Sequence, residues 1–141
     1  MSEKVLSQAE KSHTLEERPK FGRSSGTDKH EINNGQTING TGSSRRHNLI
    51  GSNTTIAIGS RIRGQKCEVY VNDMRVKLSN HDYCYPDVIV VNGEPNFEGN
   101  ELDVLTNPTV IVEIMSKSTL YHDKTDKLDR YLVMDSVREI L

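Results

Sequence analysis

The stretch Tyr83–Met115, YCYPDVIVVNGEPNFEGNELDVLTNPTVIVEIM, constrains the fold of this chain more than any other. It contains two β-branched apolar runs, Val88-Ile89-Val90-Val91 and Thr109-Val110-Ile111-Val112. Short continuous runs of this kind read as strands covered on both faces. Each carries an acid: Asp87 opens the first after Pro86, and Glu113 sits inside the second, before Ile114-Met115. An ionised carboxylate in such a place is costly unless it is paired or bound to a cation. Taken singly, Asp87 reads equally as a strand cap, and Glu113 as the partner of a nearby Arg or Lys or as a sheet-edge residue. Together they suit Mg2+, a hard cation that takes one or two carboxylates and keeps its other positions for water and phosphate oxygens.

The flanking sequence reads as support for that pair. Glu31–Gly42 (EINNGQTINGTG) has hairpin turn residues at Asn34-Gly35, though only Ile32 and Ile38 are apolar. From Ser43 or Ser44, both good N-caps, a helix runs to Arg63. Its stripe is Ile50, Thr54, Ala57, Ile58 and Ile62, and Gly64 stops it. Gly51 and Gly59 weaken this helix, so it needs tertiary packing. In KCEVYVNDMRVKL the apolar phase shifts after Asn72-Asp73, which predicts a bulge or a tight bend between two short strands. Residues 92–108 read as a long polar loop, and long loops in compact domains are often functional. A second helix is predicted over Asp123–Met134 with Leu128, Tyr131 and Leu132 as its stripe. Val137–Leu141 reads as the start of a further strand. The pattern is α/β (α+β), a mixed central sheet flanked by helices.

Composition enters as a bound. With 141 residues the chain is one domain at most, and its 33% hydrophobic content and mean hydropathy of −0.64 are lean. Part of it is therefore expected to remain unpacked. That part is residues 1–29, where Pro19, Gly22 and Ser24-Ser25-Gly26 interrupt any helix begun at Leu15. The domain proper is expected over 30–141. A net charge of −2 gives no general attraction to nucleic acid, so such binding needs a local patch, for which Arg45, Arg46, Arg61, Arg63 and Lys66 are the weak candidates. Cys67 and Cys84 are too few for a disulfide framework or a zinc site, and read as apolar fillers. No run approaches a membrane span and the N-terminus lacks a signal peptide's apolar core, so a cytoplasmic protein is expected.

From His30 onward the chain resembles the bacterial Uma2 family of restriction endonucleases, a branch of the PD-(D/E)XK nuclease superfamily. The matching words are YPDVIVV at 85–91, NPTVIVEIMSKST at 107–119, DKTDKLDRY at 123–131, VNDMRVKL at 71–78 and GSSRRHNLI at 42–50. The resemblance implies a restriction-endonuclease-like fold and Mg2+-dependent hydrolysis of DNA phosphodiesters, with Mn2+ as the substitute ion. It makes Asp87 and Glu113 the metal carboxylates. The superfamily's lysine, normally two residues after the acid where Met115 stands, is implied to have moved to Lys127. Glu31 in KHEINNG matches the family's N-terminal glutamate. A homodimer is compatible with this reading.

Read from the residues alone, Lys127 is the partner of Asp123 at i, i+4 on a charged helix face. Ser116, Ser118 and Thr119 read as helix caps, and His47 as a phosphate contact or an exposed helix start. The departures from the family lie in the support: the broken segment before His30, the polar hairpin, and an end at Leu141 before the expected last strand. They make a truncated or decaying member the expectation. The alternative function is a catalytically inactive remnant, or a non-catalytic nucleic-acid- or protein-binding domain of the same fold.

Overall fold

The two apolar runs lie side by side at the centre of one sheet. The structure, a computed structural model, describes residues 30–33, 35–39, 44–100, 103–115 and 123–141. In chain order the elements are β1 (His30–Asn33), β2 (Gln36–Asn39), α1 (Arg45–Ile62), β3 (Cys67–Val71), β4 (Arg75–Lys77), β5 (Tyr83–Cys84), β6 (Val88–Asn92), β7 (Val104–Leu105), β8 (Val110–Val112), α2 (Asp123–Leu132) and β9 (Glu139–Ile140). They form two mixed sheets instead of a single central one, ordered β2-β1-β5-β4-β7 and β3-β6-β8-β9.

The hairpin forms where the turn residues place it. Asn33 pairs with Gln36 and His30 with Asn39, while Gly35 takes a left-handed φ of 73°. Ile32 is buried and pairs with Tyr83, so β1 gains from the sheet what its own sequence lacks. The phase shift after Val71 is a bend, with Asn72 in a left-handed conformation at φ 34°. Asparagine tolerates that region better than most side chains. The bend moves the chain from the four-stranded sheet into the five-stranded one.

Val88 to Val91 are all buried, as strands between two neighbours require. β6 pairs antiparallel with β3 (Val71↔Val88 to Cys67↔Asn92) and with β8 (Val88↔Val112, Ile89↔Ile111, Val90↔Val110). The expected long polar loop is corrected in part, because it contains β7. Val104 and Leu105 are buried and pair parallel with Arg75 and Val76. A two-residue strand has no periodicity to read.

Helix α1 starts behind Ser44, whose Oγ accepts from the His47 backbone N–H at 3.2 Å, and ends before Gly64. None of its residues is fully buried, and it lies along β3 and β6 with Ile58 and Ile62 half-buried. On α2 the expected stripe reduces to one residue: Tyr131 is buried, whereas Leu128 and Leu132 are exposed. The strand start predicted near the end is β9, parallel to β8 (Val110↔Glu139, Ile111↔Ile140). Leu141 N–H then donates to Ile111 and Glu113 N–H to Leu141.

Val76, Cys84, Ile89, Val91, Leu105, Ile111 and Tyr131 make one buried cluster drawn from both sheets and α2. Full burial of such side chains contributes about 1.5–3 kcal/mol each. Among the described residues no helix is long and apolar enough to cross a membrane. The expectations for residues 1–29, for Ser116, Ser118 and Thr119, and for the side chains of Glu31 and Asp123 lie outside what is described.

Candidate metal centre

Asp87 immediately precedes β6 and Glu113 immediately follows β8. The sequence put Glu113 inside its strand; it stands one residue past the end. In the β6–β8 register Val88 faces Val112, so one further step sets Asp87 across from Glu113. Residues directly opposite in an antiparallel pair share a face. The two acids thus stand together at one end of a buried strand pair.

The chain holds both carboxylates. Asp87 Oδ1 lies 2.7 Å from His47 Nε2, and Oδ2 accepts from the Ile114 backbone N–H at 2.7 Å. Since an ionised carboxylate only accepts, His47 Nε2 carries the hydrogen in this contact. His47 and Asp87 are each only about 15% exposed, so the interaction is largely shielded from water. Residues in the first turn of α1 reach this strand end because Gly51 lets the helix approach. A Cβ there would lie 3.2 Å from the Ile114 side-chain methyl.

Glu113 Oε1 accepts from the Tyr131 hydroxyl at 2.5 Å, and Lys127 Nζ is 3.9 Å from the same oxygen. Lys127 and Tyr131 are one turn apart on α2, so a single helix face supplies a cation and a hydroxyl. Tyr131 also contacts Cys84 Sγ at 3.4 Å. Burial, first of all, and then the nearby Cys84 and Glu113 push the Tyr131 hydroxyl far above the ordinary tyrosine range. It is a neutral donor, not an acid–base group.

The structure therefore brings Asp87, Glu113 and Lys127 together and adds His47 and Tyr131, which sequence reasoning had assigned to other work. For His47 a signal existed: with Ser44 as the N-cap, it falls in the first helical turn, where side chains can point back past the helix start. For Tyr131 the signal was chemical, since a tyrosine in an apolar stripe needs a partner for its hydroxyl. Glu31 lies in β1, opposite Ile38. Among the described residues, no group of three or more His, Cys, Asp and Glu is arranged to hold a metal ion. The donor set here is two carboxylates, Asp87 and Glu113, which fits Mg2+ with waters completing its shell.

The family model described as "Putative restriction endonuclease", Uma2, matches residues 12–141. The chain belongs to the Uma2 family. A relative in Synechocystis sp., uncharacterized protein sll1609, is 34% identical over 116 residues, covering 82% of this chain and 66% of the relative. A second from the same organism, uncharacterized protein slr1290, is 28% identical over 105 residues, covering 74% of this chain and 54% of the relative. This Uma2 chain thus spans roughly half to two thirds of the length of those relatives. The crystal structure of a putative nuclease of DUF820 from Anabaena variabilis superposes with a TM-score of 0.67 at 20% identity, covering 86% of this chain and 66% of that one. That likeness shows that the Uma2 chain shares the fold of that protein.

Proposed function

We propose that this Uma2 chain is a metal-dependent endonuclease that hydrolyses DNA phosphodiester bonds in the cytoplasm. The observation that carries the reading is that Asp87 and Glu113 adjoin the paired residues Val88 and Val112 at one end of β6 and β8, with Lys127 Nζ 3.9 Å from Glu113 Oε1. Asp87 and Glu113 would hold Mg2+, or Mn2+ in its place. Such an ion polarises a phosphoryl oxygen and lowers the pKa of a bound water. The two residues would hold the ion at the strand ends, and Lys127 would offer positive charge to the phosphate or orient the attacking water. Glu31 is the proposed further acid, carried on β1. Cys67 and Cys84, both thiols, accord with a reducing compartment.

A second reading, a non-catalytic member of the same fold, draws on one observation: both oxygens of Asp87 already have protein partners. Each carboxylate oxygen accepts twice, however, so these contacts and a metal bond are compatible. Plasmid cleavage with Mg2+ separates the readings. Asp87→Ala and Glu113→Ala should each lower the rate by roughly a thousandfold, the value of several kcal/mol of Lewis-acid stabilisation. Equal cleavage by all three preparations would remove the assignment, and no cleavage by any would favour the second reading.

A further inference from the structure

We infer that Tyr131 is a positioning residue for Glu113: a buried hydrogen-bond chain from Cys84 through the Tyr131 hydroxyl holds the Glu113 carboxylate in the orientation that receives the metal. This rests on the reading of Asp87 and Glu113 as the metal pair.

Three observations carry it. The Tyr131 ring is among the largest fully buried side chains, 1% exposed, in the cluster that joins both sheets to α2. Its hydroxyl cannot move without repacking that cluster, because close-packed interiors leave no room for a second position. Next, the hydroxyl has one hydrogen and two neighbours, Glu113 Oε1 at 2.5 Å and Cys84 Sγ at 3.4 Å. The carboxylate only accepts, so that hydrogen goes to Glu113 and the thiol donates to the hydroxyl oxygen. The chain of donors therefore has a fixed direction, from β5 through α2 to the end of β8, and each bond polarises the next. Finally, Glu113 is the residue after β8, where the bond from its N–H to Leu141 holds the backbone but leaves the carboxylate to be oriented by other contacts. A carboxylate there needs an outside anchor to be held as tightly as a metal site demands, and the core supplies it through Tyr131.

A purely packing role for Tyr131 makes a different prediction. Packing needs the ring; positioning needs the oxygen. Tyr131→Phe keeps the first and removes the second.

The test uses the full chain and Mn2+ as the probe, with free Mn2+ followed by electron paramagnetic resonance, for the unaltered chain, Tyr131→Phe, Glu113→Gln and Asp87→Asn. Expected is a weakening of about tenfold or more in Tyr131→Phe, the usual consequence of losing a partner of a metal ligand. Glu113→Gln and Asp87→Asn should lose most of the binding. Unchanged affinity in Tyr131→Phe, beside loss in Glu113→Gln, overturns the role of Tyr131 and leaves the metal pair standing. Undiminished binding in Glu113→Gln, or no binding by the unaltered chain, overturns the pair and this inference with it. A second measurement does not depend on the folding of Tyr131→Phe. Adding Mg2+ to the unaltered chain should perturb the near-ultraviolet tyrosine absorbance, and the change should vanish in Glu113→Gln. A spectrum indifferent to Mg2+ while Mn2+ binds overturns the inference.

Discussion

Arg75 and Asp103 are 6% and 5% exposed, and their side chains meet at 3.5 Å between β4 and the start of β7. The Arg75 guanidinium also lies 5.7 Å from the centre of the Tyr83 ring, within range of a cation–π contact. Neither charge stands out in the sequence, where Asp103 belongs to a polar loop and Arg75 to a strand too short to show a face. Together they tie the start of β7 to β4 in the five-stranded sheet. Taking one member out of a buried ion pair costs about 3–5 kcal/mol. Asp103→Ala should therefore destabilise the chain by that amount in urea unfolding. Arg75→Met with Asp103→Leu should cost clearly less than Asp103→Ala alone, since apolar replacement of both members leaves no half of the ion pair in the core. A double variant at least as unstable as the single one would show that the pair contributes by shape instead of charge.

At the scale of elements, α1 shows how a weak helix can serve a site. Its sequence sacrifices helix propensity at two glycines, and the structure separates their reasons. A Cβ at Gly59 would meet nothing within 4 Å, whereas one at Gly51 would press on Ile114. Gly59→Ala should then stabilise the chain by about 0.5–1 kcal/mol, the ordinary gain of alanine in a helix. Gly51→Ala should gain less, because Ile114 must shift by a few tenths of an ångström. Thermal melting of the two variants checks the order, and a larger gain at Gly51 would contradict the close approach. The elements were readable where local chemistry decides them. Ser44 and Gly64 bound α1, Asn34-Gly35 marks the hairpin, and the Val/Ile runs mark β6 and β8. What could not be read is set by pairing between distant segments. The division into two sheets at Asn72, the two-residue β7, and the burial of Tyr131 without Leu128 or Leu132 depend on neighbours remote in sequence. In the site, Asp87 and Glu113 were legible as acids attached to buried strands, and Lys127 through the family's pattern. His47 was legible only as a first-turn residue behind Ser44, because its partner lies forty residues away on another element.

At the scale of the whole molecule, one core cluster ties both sheets to α2, and the candidate site sits at its edge. Tyr131 belongs to both. If Asp87 and Glu113 hold a metal as proposed, its binding is coupled to folding through shared residues, since a ligand that binds only the folded chain stabilises it by mass action. At a Mg2+ concentration one hundred times its dissociation constant, the gain is about 2.7 kcal/mol. For a domain of this size each kcal/mol raises the melting temperature by several degrees, so Mg2+ should raise it by roughly 10 °C. Calorimetry with and without Mg2+ measures this directly. The rise should disappear in Asp87→Ala/Glu113→Ala, which removes both ligands, and should persist in Gly59→Ala, which touches neither. A rise of equal size in the double variant would mean that Mg2+ acts elsewhere on the chain. A Mg2+ effect confined to chains with both carboxylates would tie the core that orders the strand ends to the acids those ends present.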